Sequence, residues 1–151
     1  MSGFAFIVSR QGVRETTPED AVRTRRGFVW IHLTNRDDHV QAWLRDTAGL
    51  EHFVIDALTA LETRPRCDQV DGGAVFNLRG KTQAAMQSSD PLASVRLFAN
   101  GDRVISVTRL PLDAVEATRA AMAAGTIRDA GDLIATLAGA ITAQLDPEVA
   151  E

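Results

Sequence analysis

The sequence predicts an α/β fold, a mixed β-sheet flanked by helices in an α/β/α arrangement, and three features carry that expectation. Phe28-Val29-Trp30-Ile31-His32-Leu33 is apolar on both of its alternating faces apart from His32, which suits a central strand covered on each side. Two turn signals, Asp71-Gly72-Gly73 and Asn100-Gly101, each separate a pair of strand-like runs. Apolar residues then recur at helical spacing after Gly49 and again in the last third of the chain.

Taken in order, Phe4-Ala5-Phe6-Ile7-Val8 reads as a first strand, and a polar stretch through Thr16, Thr17 and Pro18 follows. After the Phe28–Leu33 strand, Asn35 to Asp38 supply capping side chains and first-turn acids for a helix that holds Val40, Trp43 and Leu44. Leu50, Phe53, Val54, Ala57, Leu58 and Leu61 form the expected buried stripe of a second helix, which Pro65 stops. Arg66–Val70 and Ala74–Gly80 flank the first turn signal as a hairpin. Residues 83–93, with Ser88, Ser89, Asp90 and Pro91, read as a polar loop. A second hairpin joins Val95–Ala99 to Arg103–Arg109 through Asn100-Gly101. Two helices follow, Leu112–Ala124 ended by Gly125, and Asp129–Leu145 with Leu133, Leu137, Ile141 and Leu145 in a row. Asp146-Pro147-Glu148 then carries the signature of a helix start: an N-cap acid, proline at the first helical position and a first-turn acid.

Composition narrows the class. A chain of 151 residues is the size of one domain, able to bury roughly 70% of its unfolded surface. With 45% hydrophobic and 24% charged residues it is neither disordered nor collagen-like. Residues 1–66 balance nine Arg against nine Asp/Glu, whereas residues 67–151 set seven Lys/Arg against eleven Asp/Glu. The net charge of −4 therefore arises in the second part. A mildly acidic chain without a basic stripe is unsuited to phosphate backbones, so nucleic acid is not expected as a partner. The lone Cys67 permits no internal disulfide and fits a reducing compartment. No stretch approaches the roughly 20 apolar residues of a membrane span, and Phe4–Val8 is too short for a signal-peptide core.

The search for chemistry ends without a site: no catalytic, cofactor-binding or metal-ligating residue is assigned, and no enzymatic activity is expected. Gly80-Lys81-Thr82 resembles the end of a P-loop, but Val75 stands where that motif needs its first glycine. His52 and Asp56 at i, i+4 would give two metal ligands with no third nearby, and an exposed ion pair is the expected state. Asp37, Asp38 and His39 answer a helix dipole before a metal. His32 is expected as a hydrogen-bonded core histidine, Trp30 and Trp43 as packing residues, and Cys67 as a small half-buried side chain without a base.

The ordered series Trp30-Ile31-His32-Leu33, Trp43-Leu44-Arg45, Ala57-Leu58, Arg64-Pro65-Arg66, Asn77-Leu78-Arg79, the Val104–Arg109 strand and the small-residue helix of Asp132–Leu145 resembles the ZntB zinc-transporter branch of the CorA metal-ion transporter family. The likeness runs from about residue 4 to 145. It implies a cytoplasmic α/β/α domain over 1–145 and the start of a long stalk helix at 146–151, with two membrane helices and a Gly-x-Asn motif lying beyond this chain. It further implies a divalent metal cation, zinc or magnesium, as transported ion rather than cofactor, and a homopentamer on the cytoplasmic face of the inner or plasma membrane. Contact with the membrane would come only through the missing C-terminal helices. On this expectation the domain forms the intracellular vestibule or a regulatory part of a zinc transporter. The acidic second half would suit a cation path, although a charge of −4 reads first as a solubility charge. The alternatives are a free-standing ligand-binding or regulatory domain, and an enzyme whose site assembles from distant residues.

Overall fold

A computed structural model of the chain describes residues 2–34, 38–59, 66–70, 73–80, 93–109 and 111–145. Seven strands form one sheet: β1 Ser2–Ser9, β2 Gly12–Thr16, β3 Phe28–Thr34, β4 Arg66–Val70, β5 Gly73–Gly80, β6 Ala93–Asn100 and β7 Arg103–Thr108. Among the described residues five helices accompany them: α1 Pro18–Val22, α2 Asp38–Asp46, α3 His52–Thr59, α4 Asp113–Ala123 and α5 Ala130–Leu145. The strand order is β2-β1-β3-β7-β6-β5-β4. Only β3 and β7 run parallel; the other neighbouring pairs are antiparallel. The sheet is mixed and β3 is interior, as its two apolar faces require.

Alternation along the strands divides the core in two. Phe4, Phe6, Phe28, Trp30, Val95, Leu97 and Val104 point to one face, where they meet Leu112, Val115 and Met122 of the α4 region and Leu133, Leu137 and Ile141 of α5. Ala5, Ile7, Val29, Ile31, Leu33, Phe98, Ile105 and Val107 point to the other, under Ala21 of α1, Val40 and Leu44 of α2, and Val54, Ile55 and Leu58 of α3. A strand buried on both sides cannot alternate apolar with polar, and β3 does not: each residue from Phe28 to Leu33 is buried.

Both expected hairpins form, β4–β5 and β6–β7, the latter closing with Asn100 opposite Arg103. Residues 71–72, the centre of the first turn, and most of the expected loop 83–93 lie outside the described residues, as do Leu61, Pro65 and Asp146-Pro147-Glu148. Helix α4 stops at Gly125, whose φ of 84° is left-handed and costs a glycine nothing. Gly27 is required for a second reason: besides a φ of 78°, any Cβ there would stand 2.3 Å from the Val8 carbonyl oxygen.

The polar stretch after Phe4–Val8 holds two elements that the sequence reading did not assign: Gly12–Thr16 pairs with β1 as an edge strand, and Pro18–Val22 is a short helix capped by the Thr17 hydroxyl. One expectation needs correction: the stripe of α3 is rotated. Val54, Ile55 and Leu58 are buried, Leu50 and Ala57 pack at the margin, and Phe53 is 49% exposed.

Candidate functional site

The pleat places a row of polar side chains on the α4 face of the two parallel strands. His32 stands opposite Phe4 of β1 on one side and opposite Ser106 of β7 on the other. Its ring Nδ1 lies 2.7 Å from the Ser106 hydroxyl and its Nε2 lies 3.2 Å from the Thr108 hydroxyl. The Trp30 indole N–H donates to the same Ser106 oxygen at 2.9 Å. Indole nitrogen only donates, so Ser106 accepts from Trp30 and keeps one hydrogen to give. Nδ1 is its acceptor among the described residues, which leaves the proton of the neutral imidazole on Nε2, donating to Thr108.

All four side chains are at most 2% exposed. Burial, joined by the nearby Arg119 guanidinium, lowers the His32 pKa to about 3, so the ring is neutral at ordinary pH. The Phe4 ring lies 5.1 Å from His32 and 5.0 Å from Trp30, perpendicular to the indole. Arg119 of α4 rests 4.4 Å above the outer side of this aromatic group, over Phe4. It pairs with Glu15 of β2 and lies 3.9 Å from Glu116 on its own helix. Arg119 thereby ties α4 to the β1–β2 hairpin.

A hydroxyl beside an imidazole has the outline of a nucleophile and its base. Here Ser106 is fully buried, its oxygen is occupied by Trp30, and Thr108 rather than a carboxylate backs the ring. The neighbouring cavity, about 160 Å³, reaches His32, Thr34, Glu116 and Arg119 but not Ser106. The row is therefore suited to fixing strand register and helix docking, not to acyl transfer. A second buried polar pair, Asn77 of β5 and Arg96 of β6, lies in register on the opposite face.

Among the residues singled out in the sequence, His32 and Trp30 are the ones brought together. His52 and Asp56 pair at 3.2 Å on the exposed side of α3, remote in the fold from His32. His39 is exposed on α2, and Trp43 packs at the edge of the α2–α3 core. Cys67 lies in β4 opposite Phe76; its side chain, with Asp37, Asp38, Lys81 and Thr82, is outside the described set. Among the described residues no three His, Cys, Asp or Glu side chains gather to hold a metal. Sequence reasoning missed Ser106, Thr108 and Arg119. The available signal was that Ser106 and Thr108 alternate inside an otherwise apolar strand.

Three likenesses to known proteins bear on this architecture. A "Divalent cation transporter CmaX" of Pseudomonas aeruginosa is 42% identical over 91 residues, covering 58% of this chain and 26% of that protein. A "Zinc transport protein ZntB" of Klebsiella pneumoniae is 30% identical over 106 residues, covering 70% of this chain and 32% of that protein. The matched segment thus spans a third or less of either relative. The crystal structure of the ZntB cytoplasmic domain from Vibrio parahaemolyticus superposes with a TM-score of 0.82 at 19% identity, over 99% of this chain and 62% of that one. That likeness shows the shared fold. The family model described as CorA-like Mg2+ transporter protein matches residues 25–150, and the chain accordingly belongs to that family.

Proposed function

We propose that this chain is the cytoplasmic domain of a divalent-cation transporter, that zinc is its cargo, and that the domain forms part of the intracellular vestibule of a pentamer. The observation that carries the reading is the match of residues 25–150 to the family model of CorA-like transporters. The names of the two relatives, a divalent-cation and a zinc transporter, support the cargo class. Among the described residues no helix is long and apolar enough to cross a membrane.

Two measurements test it. The gene downstream of Glu151 should encode a long charged helix and then two stretches of about 20 apolar residues. The full-length product in liposomes should then admit zinc, read with an entrapped zinc-sensitive dye. Flux of magnesium without zinc would refute the cargo, and no divalent flux at all would refute the transporter reading for this chain.

A further inference from the structure

At the end of the sheet where β3 and β7 begin, three connections converge: the β1–β2 turn, the β6–β7 turn and the α4–α5 turn. Between them is a cleft of about 760 Å³, within the range of small-molecule sites. Its floor is apolar, made by Val8, Phe28 and Ile127. Arg10 from the first turn and Arg128 from the last stand on its rim, both exposed. Neither guanidinium makes an ion pair or hydrogen bond with a described residue, whereas Arg14, Arg45 and Arg119 are each paired with acids. Asp102 is the one carboxylate lining the cleft, and Arg25 and Arg26, exposed, precede its Gly27 wall. A molecule of net charge −4 thus turns a positive rim toward one of its clefts.

We propose that this cleft binds an organic phosphate, with Arg10 and Arg128 holding the phosphate and the apolar floor covering the body of the ligand. The guanidinium fork matches phosphate oxygens in pairs, and two forks facing one cleft suit a group carrying two negative charges. The apolar floor of Val8, Phe28 and Ile127 would cover an organic group attached to the phosphate. Asp102 would repel a second anion and accept from a ligand hydroxyl or amine. The phosphate has two possible sources, a soluble nucleotide-sized metabolite or an anionic lipid headgroup, and both present the same chemistry to the arginines. The proposal does not depend on the transporter reading, because it concerns only residues of this chain.

The test uses the 151-residue chain with two probes: ADP by calorimetry, and phosphatidylglycerol vesicles against phosphatidylcholine vesicles by co-sedimentation. At least one probe is expected to bind, more weakly as salt rises. Arg10→Gln and Arg128→Gln should each weaken binding about ten-fold, or about 1.4 kcal/mol, with an unchanged circular dichroism spectrum because both side chains are exposed. Binding of ADP alone identifies a soluble ligand, and binding of phosphatidylglycerol alone identifies a headgroup. Failure of both probes overturns the proposal, as does binding that the double variant retains in full. Ala124→Trp, at an exposed position lining the same cleft, should also lower ADP affinity. Undiminished affinity there would place the ligand elsewhere.

Discussion

His32 is held as a neutral ring because burial makes its charged form costly, and the nearby Arg119 guanidinium adds to that cost. With a folded pKa of about 3 against 6.5 for the ordinary residue, the folded state binds fewer protons than the unfolded one between those values. Its stability contribution is therefore fully present above pH 6.5 and is lost as pH falls. Between pH 7 and pH 5 the loss should be about 2 kcal/mol, measured by urea unfolding at the two pH values. His32→Gln should be less stable at pH 7 and should lose most of that acid sensitivity; an undiminished drop would assign it to other groups. The expectation of a hydrogen-bonded core histidine was legible in the sequence. Its partners were not, because Ser106 and Thr108 lie 74 and 76 residues away and only the parallel β3–β7 register makes them neighbours.

At the scale of elements, legibility followed the number of faces an element buries. β3 buries two and was plain, whereas β2 is an edge strand with no residue buried and leaves no apolar alternation to read. Helix α1 had its signature in Thr17-Pro18-Glu19-Asp20, but five residues are too few for a periodicity. In α3 the stripe was misplaced by about one residue because Leu50, Val54 and Leu58 belong to both possible faces, and packing on β5 to β7 chose Ile55 over Phe53. The start of α5, read near Asp129 from its row of apolar residues, is held in the structure by two cap hydrogen bonds. The Asp132 N–H donates to the Asp129 carboxylate at 2.8 Å, and Asp132 in turn accepts from the Arg128 N–H at 3.1 Å. Asp129→Ala should cost about 1 kcal/mol, a fall in Tm of roughly 2–4 °C for a domain of this size. Asp129→Asn should lose much less, since its amide oxygen still accepts. Equal losses in the two variants would mean that charge, not the cap hydrogen bond, stabilises the helix start.

Across the whole molecule, the two cores are built from different stretches of chain: α1 to α3 close one face, and α4 with α5 close the other. β3 and β7 join at the centre, so neither face is complete until residues far apart in sequence have paired. Among the described residues little apolar surface remains uncovered. Phe53, 49% exposed on α3, is the one exposed large hydrophobic side chain among the described residues. Permanent subunit contacts bury roughly 2,000 Å² or more, with an apolar centre, and a single aromatic beside the polar His52 and Asp56 does not supply one. The 151-residue chain is accordingly expected to be monomeric at micromolar concentration, with a light-scattering mass near 16.3 kDa. Phe53→Ser should leave that mass unchanged. A stable pentamer of the unmodified chain would show that the domain holds its own assembly surface, and its dissociation by Phe53→Ser would place that surface on α3.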